Sequence, residues 1–423
     1  MSLRSEGRFI IVDPSLSDLR GHHYQLTLNA DSAAREGGAE CVWLVNHAAD
    51  RNLLKAHPQA RPAFKLGMYD QYKRGAKSKD ISLADEMTAG LLLAIDELGV
   101  TSNDRLFFHT CDGATYEAAA AVVEELALDV MPAFHLCTPY DPVGVMPNRT
   151  KPGEVTRAID LIGSLGLIGV RVFLYAENDL LANHLSQLWR TPVTALNLPM
   201  PAFSDEHRKA AALYRQDTLN IPPADRMVCV LGSARIEKGF NLLPDIVRRT
   251  FEFAGESTYN GLYADDIQFV IQATPQIVGR DPVIQKAIDR LQEQAAGRVT
   301  LLEHSLEVEE YRSVLLASDI VLMPYEPAKY RVRGSGIISE ALTAGKFAVA
   351  SEGSYPGHMA SLFGGGTGAM PRDMARAILE ILASWETRER VKHDALKAWT
   401  EEHTPARYFQ RIASRDVKRG LLQ

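Results

Sequence analysis

Short apolar runs alternate with helix-forming segments along almost the whole chain, and this rhythm restricts the fold more than any single motif. The runs fall at 8–12, 39–45, 104–108, 134–137, 170–175 and 193–196, then again at 227–231, 267–272, 299–302, 320–323 and 347–350. Runs this short and this uniformly apolar suit strands buried on both faces of a parallel sheet. Helical stretches separate them, among them 23–35, 86–98, 118–128, 281–293, 308–317 and 337–344, and Gly37, Gly99 and Gly345 stand at helix ends. Such a chain folds as open α/β layers. Its 423 residues are too many for one core. The segment "NLPMPAFSDE", with Pro199 and Pro201 followed by charge, reads as a hinge. The expected domains are therefore 1–203 and 204–395, with a helical tail, 396–423, crossing back to the first.

Composition narrows the function classes. The charge of −7, from 53 acidic and 46 basic side chains, gives no support for a nucleic-acid partner. No stretch approaches the roughly 20 uncharged apolar residues of a spanning helix. The opening "MSLRSEGRFIIVDPS" has no apolar signal core, so a cytoplasmic location is expected. Cys41, Cys111, Cys137 and Cys229 are scattered without metal or redox spacing and read as small core residues.

In the first half, the loop at Gly21 follows the first strand, at the edge where α/β sheets bind ligands. Gly21 lets backbone approach a ligand closely, and His22 and His23 are either site residues or solvated helix-start residues. No GxGxxG pattern supports a nicotinamide cofactor. Residues 49–85 look irregular. Within them, 65–79 gathers Lys65, Lys73, Arg74, Lys77 and Lys79 near Tyr69 and Tyr72. That stretch is either a solvated loop or a basic patch for an anionic acceptor or peripheral contact with lipid headgroups. His109 ends a strand, a favoured place for site residues. Asp112 is a site residue or a helix cap. The loop 138–150, rich in proline, reads as irregular and as a candidate lining of the site.

In the second half, Arg235 and Lys238 lie in the loop after the strand 227–231. Two fixed positive charges there suit a diphosphate. Further on, Gly334, Ser335 and Gly336 lead into the helix 337–344. Its free amides and partial positive charge offer a phosphate site. Glu340, about one turn inside, can accept hydrogen bonds from sugar hydroxyls beside that phosphate. Asp265 and Asp266 lack further ligands and read as a turn, so no metal is expected. Gly364–Gly366 reads as flexible turn material.

The segments "GSARIEKGFNLL", "LLASDIVLMPYE" and "GSGIISEALTAGKFAVASEG" together resemble the retaining GT-B glycosyltransferases of the large family 4. The resemblance spans nearly the whole chain. It implies two Rossmann-like α/β domains facing across a cleft, with the donor nucleotide sugar on the second and the acceptor on the first. Arg235 and Lys238 would hold the donor diphosphate, and Glu340 the ribose. The amides near Gly334, Ser335 and Gly336 would meet the distal phosphate and the sugar. Gly21 would let the first-domain loop close over the donor, and His109 would contact a sugar hydroxyl or order the acceptor. No cofactor is implied beyond a nucleotide-diphosphate sugar of UDP or GDP type. The acceptor would be a carbohydrate or a lipid-linked sugar, in polysaccharide or glycolipid assembly, with the enzyme at the inner membrane face.

The chain departs from the family pattern at Val332, where a first glutamate usually stands eight residues before the second. Valine cannot accept a hydrogen bond from a hexose hydroxyl. Arg331 and Arg333 flank it and suit phosphate or an acidic donor such as a uronic acid. Two rival readings stay open: a nucleotide-sugar 2-epimerase of the same fold, and a non-catalytic partner subunit.

Overall fold

All four side chains of Phe9–Val12 are buried, those of Ile10 and Ile11 completely. A strand with no wet face must lie inside a sheet covered on both sides. The computed structural model describes residues 7–68, 82–142, 152–200, 202–254, 263–274, 281–294 and 297–415. The chain forms two units, Met1–Pro199 with Glu402–Gln423, and Met200–Glu401.

The first unit holds a seven-stranded sheet. Its strands are β1 (Phe9–Val12), β2 (Cys41–Asn46), β3 (Ala60–Phe64), β4 (Arg105–Phe108), β5 (Ala133–Thr138), β6 (Val172–Ala176) and β7 (Thr194–Ala195). Their order is β3-β2-β1-β4-β5-β6-β7, and every pair is parallel. The second unit holds β8 (Arg226–Val230), β9 (Ile267–Gln272), β10 (Val299–Leu302), β11 (Ile320–Met323), β12 (Phe347–Ser351) and β13 (Gly366–Gly368). Its order is β10-β9-β8-β11-β12-β13, again all parallel. In each sheet the strand order reverses beside the first strand, between β1 and β4 and between β8 and β11. Ligands of open α/β sheets bind outside the carboxyl ends of strands at such a switch point. The two units are thus both Rossmann-like.

Each unit has its own core. Phe9, Ile11, Trp43, Phe107 and Tyr175 centre the first, and Val228, Phe269, Leu322, Phe347 and Ile378 the second. The helix Pro405–Ala413 belongs to the first core. Phe409 meets Phe9 edge-on at 5.6 Å between centroids, and Tyr408 meets Phe107 at 6.0 Å. A Cβ on Gly37 would collide with the Phe409 ring, so glycine there lets the tail helix lie against the helix Gly21–Glu36. Burying an aromatic side chain of this kind contributes about 2–3 kcal/mol.

Two stretches are more regular than their sequence suggests. Residues 49–85 include the helix Arg51–Ala56, capped by Asp50, whose side chain accepts the Leu53 N–H at 2.7 Å. They also include the edge strand β3, where Arg61 and Pro62 interrupt the apolar pattern and both are exposed. Proline is tolerated on an edge because only one side of that strand must donate. Of the basic stretch 65–79, residues 69–79 lie outside the described residues, as do 143–150 of the proline-rich loop. The glycines at 364–366 do not form only a turn, since Gly366 begins β13. A Cβ on Gly366 would lie 2.8 Å from that of Ala377, so its smallness admits the helix Pro371–Ala383.

The four cysteines are unbonded and buried, as core residues should be. No helix among the described residues is long and apolar enough to cross a membrane.

Candidate functional site

In the second unit the chain leaves β8 through Leu231 and turns at Gly232, whose φ is 94°. An added Cβ there would fall on the Lys238 ammonium and lie 3.0 Å from the Ile337 methyl. Gly232 therefore sits between Lys238 and the first turn of the helix Gly336–Thr343. Its N–H donates to Gln272 Oε1 at 2.7 Å, which ties the turn to β9. Gly239, at φ 69°, lies so close to the Pro324 carbonyl that no side chain fits. The turn after β8 is thus pressed against the end of β11, which brings Arg235 and Lys238 beside Tyr325.

Arg235 donates from Nε to Ser233 Oγ at 2.9 Å and pairs with Glu237 at 3.2 Å. Lys238 is half-buried, with its ammonium 5.7 Å from the centre of the Tyr325 ring. Burial, and then the charges of Arg235 and Arg333, push its pKa down to about 8 against the opposing pull of Glu237. Arg333 lies over the Tyr330 ring at 5.1 Å. Arg331 is exposed. Ser335 stands at the N-cap of the helix Gly336–Thr343 but makes no side-chain cap. Gly336 faces open space. The first amides of this helix are therefore left without a capping side chain.

Glu340 lies a turn inside, half-buried, and its Oε2 accepts a short hydrogen bond from the Tyr311 hydroxyl. Burial raises the Glu340 pKa, and the Tyr311 bond opposes that rise. Tyr311 leaves Oε1 of the same carboxylate for another donor. The structure thus groups Arg235, Lys238, Ser335 and Gly336 at one strand end, with Glu340 farther along the same helix. Sequence reasoning missed Tyr311 and Tyr325. Tyr325 had a signal, since it directly follows the proline that ends β11.

The first unit has its own cluster at the corresponding place. Asp13 directly follows β1, His109 directly follows β4, and His23 comes from the helix Gly21–Glu36. Asp13 Oδ1 accepts from the ring nitrogen Nδ1 of His23 at 2.9 Å and from the Ser15 N–H at 3.0 Å. His109 Nε2 lies 3.2 Å from Asp13 Oδ2 and 3.0 Å from Thr27 Oγ1, while its Nδ1 lies 2.9 Å from Thr110 Oγ1. Burial by itself would raise the Asp13 pKa. The charges of His109 and His23 and their hydrogen bonds outweigh it, and hold the carboxyl well below the usual range.

Asp13, His23 and His109 are all buried, with ligand-type atoms within 4.8 Å of one another. They are the one group among the described residues that could hold a metal ion, yet their contacts of 2.9–3.2 Å are hydrogen-bond lengths. Both ring nitrogens of His109 have internal partners, and only 2% of the residue is exposed. His22 is exposed, its ring 4.2 Å from that of His23. Gly21 opens the helix at φ 74° with nothing on its Cβ side. Asp112 is a helix cap, its Oδ1 accepting from the Thr115 N–H at 3.0 Å.

No protein-family model matches the chain, and no curated protein matches it in sequence. Solved structures do match it. A glycosyltransferase from Rickettsia africae superposes with a TM-score of 0.67 at 11% identity, over 98% of this chain and 100% of that one. The Anabaena protein HepE, in complex with UDP, gives 0.64 at 13% identity, over 96% and 98%. A UDP-forming trehalose-phosphate synthase from Burkholderia xenovorans gives 0.65 at 14% identity, over 97% and 99%. The chain has the GT-B fold. At these identities the likeness speaks for architecture, and the chemistry must come from the residues.

Proposed function

We propose that this chain is a retaining glycosyltransferase that moves a sugar from a nucleotide-diphosphate sugar to an acceptor hydroxyl. The observation that carries the reading is the pair Arg235 and Lys238 at the carboxyl end of β8, beside the uncapped start of the helix Gly336–Thr343. Bond cleavage leaves negative charge on the diphosphate, and fixed cations and helix amides are the groups that stabilise it. Glu340 would accept the ribose hydroxyls through the oxygen that Tyr311 does not engage. UDP is favoured, since HepE binds it and the Burkholderia enzyme forms it; GDP is the other candidate. Gly21 would let its loop approach the donor. His109, with both nitrogens engaged internally, would order the acceptor side by holding its neighbours rather than by touching sugar.

The acceptor would be a carbohydrate or lipid-linked sugar in polysaccharide or glycolipid assembly. The enzyme would work in the cytoplasm, at the inner membrane face, with 65–79 supplying peripheral contact. These assignments rest on family analogy.

Calorimetry with UDP, GDP, ADP and their common sugar conjugates tests the reading, with Arg235→Ala and Glu340→Ala beside wild type. Binding that is lost in both variants supports it, and the absence of binding by any nucleotide refutes the donor site. Val332 favours one second reading, a partner subunit that binds nucleotide without chemistry. Binding with neither transfer nor hydrolysis across the donor panel would select it, and a 2-epimer formed without acceptor would select the epimerase.

A further inference from the structure

Two features of the second unit have no internal explanation. Tyr325 is only 2% exposed, and its hydroxyl finds no hydrogen-bond partner among the described residues. Ser335 acts on it as a hydrogen-bonding neighbour and opposes the rise that burial imposes on its pKa, yet the pair does not reach hydrogen-bond geometry. A buried hydroxyl left unbonded is costly, so native proteins rarely keep one without a use. The second feature is charge. Arg235, Lys238 and Arg333 lie close enough to act on the same side chains, and both arginines bear on Lys238 and on Tyr325. Among the described residues only Arg235 has an acidic partner, Glu237 at 3.2 Å. Like charges converge in this way where an anion is to be held.

We infer that Arg333 and Tyr325 complete, with Arg235 and Lys238, a preformed pocket for the diphosphate of the donor. The inference rests on the glycosyltransferase reading and adds two residues to it. Glu237 already neutralises part of Arg235. Two cations less that share leave a diphosphate dianion short of compensation, and Arg333 supplies the missing charge. Its guanidinium carbon lies 5.1 Å from the centre of the Tyr330 ring, a contact that uses none of its hydrogen-bond donors. Tyr325 donates the hydroxyl proton that has no well-aligned acceptor in the free protein. Val332, between Arg331 and Arg333, then occupies a place given over to phosphate rather than to sugar hydroxyls.

The test compares Arg333→Gln and Tyr325→Phe with wild type and Arg235→Ala, in the full chain. Inorganic pyrophosphate, UDP, uridine, UDP-glucose and UDP-glucuronate are titrated by calorimetry. Arg333→Gln should weaken pyrophosphate and UDP alike by about 10- to 100-fold, as expected for a charge-assisted bond, and leave uridine unchanged. It should also flatten the salt dependence of UDP binding. Tyr325→Phe should weaken UDP about 5-fold while leaving the ligand-free protein as stable or more so, because it deletes an unbonded buried hydroxyl.

If Arg333→Gln leaves pyrophosphate and UDP unchanged while Arg235→Ala abolishes them, the pocket is wrong and the donor reading survives. The same holds if wild type binds UDP but not pyrophosphate. A loss confined to UDP-glucuronate would move Arg333 to an acidic sugar and overturn the diphosphate assignment. Wild type that binds none of the phosphates would overturn both readings.

Discussion

Asp13→Asn should be the most damaging single-atom exchange in the first unit. Asp13 is 3% exposed and serves three donors: His23 at 2.9 Å, the Ser15 amide at 3.0 Å and His109 at 3.2 Å. Asparagine keeps one acceptor oxygen and turns an amide N–H₂ toward an imidazole. It also removes the negative charge against which the two histidines are set. Breaking a buried pair from one side costs about 3–5 kcal/mol. A unit of this size shifts by about 2–4 °C per kcal/mol, so an exchange near the lower end should lower its transition by roughly 6–12 °C.

The loss should depend on pH. The Asp13 pKa is depressed by folding, so as pH falls the unfolded chain takes up this proton first. Its contribution is whole above the unfolded value near about 4, and is lost as pH falls from there toward the folded value. Urea unfolding of both proteins at pH 7.5 and at pH 3 measures this, with UDP affinity as a control on the second unit. A variant within about 0.5 kcal/mol of wild type at pH 7.5 would show that the network contributes little. A gap that widened in acid would show that the assigned charges are wrong.

The proposed donor site yields further predictions. With Lys238 pushed down to about 8, UDP affinity should fall as pH rises through 8 and the ammonium is lost; calorimetry from pH 7 to pH 9.5 should find the slope absent in Lys238→Arg. Tyr311→Phe releases the second Glu340 oxygen without removing its charge, so UDP binding should change by less than about 5-fold, while Glu340→Ala should cost about 10-fold or more; equal losses in the two variants would refute a ribose role for Glu340. Gly239→Ala drives a Cβ into the Pro324 carbonyl at a positive φ, and should lower the second unit's stability by about 3 kcal/mol or more in chemical unfolding. Phe409→Ala should cost the first unit about 3–5 kcal/mol, because the ring packs on Phe9 and fills the space above Gly37.

Most of the fold was legible because its strands are buried on both faces. Segments such as Ile320–Met323 and Phe347–Ser351 need no partner to be recognised as strands. β3 and β13 were missed because edge strands relax that rule: one carries Arg61 and Pro62, the other is mostly glycine. The grouping of the second-unit candidates was legible because they lie within two segments, 232–239 and 331–340, whose chemistry is local. The Asp13 cluster was not, because residues 13, 23 and 109 meet only after β1 and β4 pair, with Phe9 opposite Arg105. His23 and His109 stood out singly in the sequence, but nothing local joined them to the aspartate after the first strand. The internal partners of His109 were hidden for the same reason. A strand-end histidine looks available in sequence, and only the fold shows Thr27, Thr110 and Asp13 around it.

The two switch points argue for a division of labour between the units. They occupy the same place in the same strand order, yet their polar groups are satisfied in opposite ways. At β1 and β4 the charged group is an acid, and two histidines and a backbone amide already surround it. An anionic ligand would meet a carboxylate there, already surrounded by its hydrogen-bond partners. At β8 and β11 the charged groups are basic, Lys238 and Arg333 have no acidic partner among the described residues, and a buried hydroxyl waits for an acceptor. Desolvated positive charge of this kind is tolerated when a ligand regularly completes it. On electrostatic grounds the second unit is the better host for the proposed diphosphate.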